Sequence, residues 1–218
     1  KNILQKILNR MSLEKSLKIL KTKLNYMAQS IGSNKVKTAV FISGTGSNLK
    51  SLIKFSKVKN SPIIISMIIS NNAKSKGLNY GKMYKIKKKV FDFKNTLSEN
   101  KVINELEKNK INLICLAGFM KILSKNFIKN FNGKIINIHP SLLPKYKGLN
   151  THEKAIKNKD KYSGCTVHFV SSRLDSGKII NQKKVRINKS ETPKTLAKKI
   201  LIQEHKLYPK AITKILSL

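Results

Sequence analysis

Val36-Lys37-Thr38-Ala39-Val40-Phe41-Ile42-Ser43-Gly44-Thr45-Gly46-Ser47-Asn48 decides the fold. Val36 to Ile42 is a short apolar run of the length of a buried strand, and a helical pattern follows from Leu49 to Phe55. A strand, a glycine-bearing loop and a helix together open an α/β unit. The loop also suits an anion, because free backbone N–H groups and the positive end of a helix dipole meet there. Gly44 and Gly46 let the backbone come close to a ligand, and Ser47 and Asn48 add side-chain donors. The Lys-Ser/Thr ending of a P-loop is missing, and so is the third glycine of a dinucleotide fingerprint. A monophosphate is therefore the expected ligand, with a purely structural tight turn as the alternative.

Outward from this unit, strand and helix patterns alternate. Strands are expected at Ile63 to Ile69, Lys89 to Phe91, Ile111 to Ala117, Lys134 to Ile138, Gly164 to Val170 and Lys178 to Val185. Helices are expected at Gly77 to Tyr84, Leu97 to Lys108 with Ser98 or Thr96 as cap, Ser124 to Asn130, Thr151 to Lys157, and about Thr192 to Leu216. The fold class is α/β, a mostly parallel twisted sheet flanked by helices. Residues 1–34 read as a separate, basic segment with leucines and isoleucines at roughly helical spacing. It is taken as an N-terminal basic helical extension or mis-called start, with a targeting presequence and a surface or partner-binding helix as the alternatives. Residues 35–218 are the expected catalytic domain.

Three clusters carry chemistry. Asn137-Ile138-His139-Pro140 closes the Lys134 to Ile138 run, and residues i and i+2 of an extended segment face one side. An amide donor and an imidazole can then converge on one carbonyl, and Asn137 with a protonated His139 would stabilise its oxyanion. The later Asp175, in Leu174-Asp175-Ser176-Gly177, could raise the imidazole's pKa, orient the ring or hold a proton-collecting water. On the residues alone, Asp175 is equally a turn residue and His139 a structural loop residue. The third cluster, Leu116 to Leu123, is a strand end opening into an apolar loop. There Met120, Ile122 and Leu123 could take a flat aromatic ligand, or simply form core.

Composition bounds the remaining classes. No apolar run approaches the ~20 residues that span a bilayer. Two cysteines, Cys115 and Cys165, give neither a disulfide framework nor a metal spacing, so a reducing compartment is expected and no metal is. The formal net charge of +36 would suit a nucleic-acid or acidic-membrane partner. Arginine, however, occurs only at 10, 173 and 186 beside abundant Lys, Asn and Ile, the profile of A/T-rich codons. Neither nucleic acid nor membrane is expected as a partner, though such a field would speed capture of a phosphorylated substrate.

Taken together, Ser43 to Asn48, Leu116 to Met120, Asn137 to Pro144, Thr166 to Val170 and Gln203-Glu204-His205 resemble the phosphoribosylglycinamide formyltransferases, folate-dependent enzymes of purine synthesis. The resemblance runs from about Val36 to Leu216. It implies a Rossmann-like formyltransferase fold and transfer of a formyl group from 10-formyltetrahydrofolate to glycinamide ribonucleotide. By that likeness Asn137, His139 and Asp175 are the catalytic trio. Gly44, Gly46, Ser47 and Asn48 hold the phosphate, and Glu204 contacts the ribose. Leu116, Met120, Lys121, Ile122, Leu123 and Val170 enclose the folate, and Leu143–Pro144 is a candidate cis peptide. Such an enzyme is expected in the cytoplasm as a monomer or homodimer. Lys121 and Asn150 depart from the family pattern, in which Arg is frequent at the first place and some members have His at the second. Related enzymes share the Asn-x-His and Asp pattern, among them methionyl-tRNA formyltransferase and formyltetrahydrofolate deformylase. The glycine loop favours the ribonucleotide over both. A lysine-rich nucleic-acid binder on an old enzyme fold is the non-enzyme rival.

Overall fold

The computed structural model describes residues 35–217. The readings for residues 1–34 lie outside the described residues.

Among the described residues, seven strands form one sheet: β1 (Val36–Ile42), β2 (Ile63–Ser70), β3 (Lys87–Val90), β4 (Leu113–Leu116), β5 (Lys134–His139), β6 (Tyr162–Phe169) and β7 (Ile179–Arg186), in the order β3-β2-β1-β4-β5-β6-β7. The β3-β2-β1-β4-β5 part is parallel, while β6 and β7 are added antiparallel. The helices are α1 (Ser47–Ser56), α2 (Asn79–Tyr84), α3 (Thr96–Lys108), α4 (Lys125–Asn130), α5 (Thr151–Lys157) and α6 (Pro193–Leu216).

The alternation within β1 explains the layering. Ala39 and Phe41 face one core with Val102 and Leu106 of α3 and Phe127 of α4. Val40 and Ile42 face the other, with Leu49 and Leu52 of α1 and Ile200 and Tyr208 of α6. A parallel strand covered on both faces is apolar on both faces, which is why β1 reads as a continuous run. Edge strand β3 differs: Lys87, Lys88 and Lys89 are all exposed. Charges along an open edge discourage pairing with another sheet.

Several expected strands move by one or two residues at their ends, among them β3 (expected Lys89 to Phe91) and β4 (expected Ile111 to Ala117), and two helix starts also need correction. The cap of α3 is Asn95, whose side chain accepts from the Ser98 N–H, while the Ser98 hydroxyl completes the reciprocal box. Neither Thr96 nor Ser98 is the cap, because the chain becomes helical one residue earlier. The segment expected as one helix from Gly77 begins as a 3₁₀ turn, Lys76–Leu78, before α2. The cysteines lie on β4 and β6, free and buried, and burial pushes each thiol up to about 12.

The connections place the site. From β1 the chain steps outward to β2 and β3, then crosses back to β4 on the other side of β1. The carboxyl ends of β1 and β4 thus flank a topological switch point, where open α/β sheets hold ligands. On α6, the buried Tyr208 hydroxyl contacts the carbonyls of Leu116 and Ile136, at 3.0 and 3.1 Å, and fixes that helix beneath the ends of β4 and β5.

Candidate active site

The glycine loop leaves β1 at the switch point. Gly46 has φ +73°, and a Cβ there would stand 2.8 Å from Gly77 Cα, so only glycine fits. Gly46 is also the cap of α1 and offers no side chain, so the first-turn amides of α1 have no side-chain acceptor. The Gly44 carbonyl is taken by Gly77 N–H at 3.0 Å and by the Ser75 hydroxyl at 2.6 Å. Asn48, at the start of α1, donates through Nδ2 to Glu204 Oε2 at 2.7 Å across 156 residues of sequence. Its Oδ1 is buried with no partner. Burial pushes the Glu204 carboxyl up to about 7 against the opposing Asn48 bond. The four loop residues and Glu204 therefore form one cluster, with an open acceptor and uncapped amides.

Asn137, His139 and Asp175 meet at a second cluster on the antiparallel side. Asn137 and His139 project from β5, and the register sets Asn137 opposite His168 and His139 opposite Thr166 on β6. Asp175 comes from the loop after β6. Its φ is +45°, an uncommon conformation that Asp tolerates better than most residues. The loop closes on itself at Gly177, where a Cβ would lie 1.7 Å from the Phe169 carbonyl oxygen. One Asp175 oxygen is 3.4 Å from His139 Nδ1 and accepts the Gly148 N–H at 2.9 Å. The other is 3.5 Å from His168 Nε2.

These contacts assign the protons. His139 Nε2 faces the Tyr146 carbonyl at 2.8 Å, so this nitrogen carries hydrogen and Nδ1 is the basic one. His168 Nδ1 faces the Phe169 carbonyl at 2.9 Å, so its Nε2 accepts from Asn137 Nδ2 at 3.2 Å. An amide nitrogen has two hydrogens, and the second Asn137 hydrogen stays available. The imidazole of His139 is held below its ordinary value: burial outweighs both the Tyr146 bond and the Asp175 charge. This reverses the expected upward shift, because the carboxylate is near but the ring is dry. Asp175 stays below the usual carboxylate range. Burial works against this, but the close approach of the His168 ring and the bond from the Gly148 N–H outweigh it. The loop beyond His139 is pinned by Thr166, which accepts the Leu143 N–H and donates to the Ser141 carbonyl. Leu143–Pro144 is cis.

Asn137, His139 and Asp175 line a cavity of about 930 Å³, and so do Leu116, Met120, Lys121, Ile122, Leu123 and Val170. Leu116 and Leu123 are buried, whereas Met120, Ile122, Leu149 and Leu174 leave large apolar surfaces exposed around it. Uncovered apolar area of this kind marks a place for a ligand. Gly44, Gly46, Ser47, Asn48 and Glu204 do not line this cavity; they form the neighbouring cluster. Two histidines to which the motif reading gave no role also line it. His168 positions Asn137, and His152 has a buried Nδ1 without a partner. The period-2 spacing of Thr166 and His168 was the available signal, but it points at Asn137 only once β5 and β6 are known to be antiparallel. Among the described residues, no group of three or more His, Cys, Asp or Glu could hold a metal ion. No helix among them is long and apolar enough to cross a membrane.

Comparison with known proteins sets this geometry in a family. The formyl transferase family model matches residues 36–212. The chain is 42% identical over 192 residues to the trifunctional purine biosynthetic protein adenosine-3 of Homo sapiens, covering 86% of this chain but 19% of that protein. It thus spans about a fifth of the length of such trifunctional relatives. It is 42% identical to the phosphoribosylglycinamide formyltransferase of Haemophilus influenzae, covering 81% of this chain and 85% of that one. The crystal structure of the Brucella melitensis phosphoribosylglycinamide formyltransferase superposes with a TM-score of 0.80 at 38% identity, covering 85% and 97% of the two chains. The family model covers most of the chain, and the chain belongs to the formyl transferase family, alongside its phosphoribosylglycinamide formyltransferases.

Proposed function

We propose that this protein transfers the formyl group of 10-formyltetrahydrofolate to the amine of glycinamide ribonucleotide, a step of purine biosynthesis, and that residues 35–218 are its catalytic unit. The observation that carries the reading is the meeting of Asn137, His139 and Asp175 at one wall of a cavity whose other walls are apolar. A cavity of about 930 Å³ with exposed apolar rims suits a flat, largely apolar donor. The adjacent cluster at Gly44 to Asn48 and Glu204 suits the phosphate and ribose of the acceptor. Uncapped amides of α1 meet the anion, and Glu204 with the open Asn48 Oδ1 meets hydroxyl donors.

The donor, when bound, supplies an activated formyl carbonyl and a nitrogen leaving group. As the acceptor amine attacks the formyl carbon, the carbonyl electron pair moves onto oxygen. Asn137 donates its second amide hydrogen to that oxygen, with its orientation fixed by His168. His139 is neutral at this moment, and its Nδ1 takes the proton released by the attacking nitrogen. Asp175, ionised and 3.4 Å away, stabilises the imidazolium so formed. His139 then returns that proton to the departing nitrogen as the old carbon–nitrogen bond breaks. No net proton is gained or lost by the protein. Holding both reactants in adjoining sites supplies the proximity.

The test is formyl transfer to the ribonucleotide, measured against formyl-folate hydrolysis without it. Transfer that needs the ribonucleotide supports the reading. Hydrolysis alone would replace it with a deformylase, and salt-sensitive RNA or DNA affinity without either would favour a nucleic-acid binder.

A further inference from the structure

The two reactants of the proposed reaction would sit on different loops, one after β1 and one after β4. Ser43 belongs to neither set of ligand residues, yet it touches both loops. Its N–H donates to the Gly118 carbonyl at 3.2 Å. Its hydroxyl accepts the Met120 N–H at 2.7 Å and donates to Asn71 Oδ1 at 2.5 Å. A hydroxyl has one hydrogen; giving it to Asn71 leaves the oxygen lone pairs for Met120, so the arrangement has a direction. Asn71 follows β2, and a few residues later Ser75 and Gly77 hold the Gly44 carbonyl. A continuous path of hydrogen bonds and short chain segments therefore runs from the glycine loop, through Ser43, to the backbone of the donor cavity.

We propose that Ser43 is a positioning residue that couples the two substrate sites. Filling the glycine loop then tightens binding in the donor cavity, and the reverse holds by thermodynamic reciprocity. The physical basis is shared ordering: the ligand that arrives first fixes the strut, and the second finds it already fixed. A staple with a merely structural role would lower the melting temperature and weaken both ligands alike, without changing their mutual effect. The proposal rests on the function assigned above.

The experiment titrates wild type, Ser43→Ala and Ser43→Thr with a reduced-folate analogue lacking the formyl group, with and without saturating glycinamide ribonucleotide. The converse titration is done as well. Wild type is expected to gain about fivefold or more in affinity for each ligand when the other is present. Ser43→Ala should bring that ratio within about twofold of one, and Ser43→Thr, which keeps the hydroxyl, should retain it. If Ser43→Ala does not fold, Asn71→Ala releases the same hydroxyl from its other partner and should lower the ratio too. Amide exchange at Met120 gives a ligand-free check, since it should quicken in Ser43→Ala and not in Ser43→Thr. A wild-type ratio of one, or an unchanged ratio in a folded Ser43→Ala, overturns the coupling while leaving the function standing if wild type transfers formyl. A wild type that binds neither ligand and transfers nothing overturns both.

Discussion

The two polar clusters at the carboxyl end of the sheet are built on opposite plans. Asn137, His139 and Asp175 are each tied to other protein groups. His139 is held by Tyr146 and Asp175, Asn137 by His168, and Asp175 by Gly148. Around Gly44 to Asn48 and Glu204, groups are left open, with an uncapped helix start and a buried amide oxygen without a partner. A buried polar group without a partner costs about 1–3 kcal/mol, so a fold keeps one where a ligand supplies the missing bond. A group that must be aimed at a reacting atom is instead locked in advance. The first cluster should therefore govern turnover, and the second should govern binding.

The largest break in that contrast comes from the tied cluster. His139→Ala is expected to lower kcat by about 10²- to 10⁴-fold, with KM for either substrate within about threefold of wild type. Steady-state kinetics checks it, and near-normal kcat would remove His139 from the proton path. Because burial holds the neutral ring's pKa below 6.5, the acid limb of kcat/KM should lie below pH 6.5. The Asp175 charge opposes that lowering, so Asp175→Asn should move the limb to still lower pH as well as slow turnover. A limb moving upward would mean that Asp175 is not facing the basic nitrogen.

The open cluster should answer differently. A Cβ at Gly44 would meet nothing within 4 Å, so Gly44→Ala should leave the melting temperature almost unchanged. If a phosphate uses that space, the same variant should raise KM for the ribonucleotide by about 30-fold, equivalent to a loss of ~2 kcal/mol, with kcat little altered. An unchanged KM would favour the alternative in which the loop is a tight turn and no more.

Glu204 separates binding from stability. Its folded carboxyl titrates near 7 against an ordinary value of 4.5. The folded protein thus binds this proton more tightly than the unfolded chain, and the associated stability is lost as pH rises from about 4.5 through 7. The full difference amounts to ~3 kcal/mol. Glu204→Gln, which cannot ionise, should flatten that slope in denaturant titrations at pH 5 and 8, and should be the more stable protein at pH 8. It should also bind ribonucleotide about fivefold more weakly, for want of a charged acceptor. A wild type without the slope would place the Glu204 carboxyl in a wetter setting.

How legible each cluster was in the sequence follows from the range of the contacts that make it. The glycine loop was readable because strand, glycines and helix start are neighbours in sequence. Asn137 and His139 were readable for the same reason, sitting two apart on one strand. Glu204 was readable only through its likeness to a family motif, since its bond to Asn48 spans 156 residues. His168 lay within the quoted Thr166 to Val170 motif but had no role assigned, because that role depends on β6 turning antiparallel against β5, and alternation alone does not give strand direction. The sign of the His139 shift also needed the fold: the nearby carboxylate was visible, but the burial that outweighs it was not.

The smallest effect lies on the wall that joins the clusters. Lys121 is exposed at the cavity, at a place where the resemblance leads one to expect Arg. A lysine meets a carboxylate as a single point charge on a flexible stem, whereas an arginine presents a planar fork that can bind both oxygens. If the donor's carboxylate tail leaves the cavity past this side chain, Lys121→Arg should tighten the folate analogue by about threefold, an increment of well under 1 kcal/mol for an exposed pair. The gain should shrink in high salt, because the contact is open to solvent. It should appear in the donor's Kd and leave both kcat and ribonucleotide binding alone. An equal gain in ribonucleotide affinity would mean that position 121 acts through the Ser43–Met120 bond one residue away, so that the tied and open clusters share a wall that transmits binding rather than merely standing side by side.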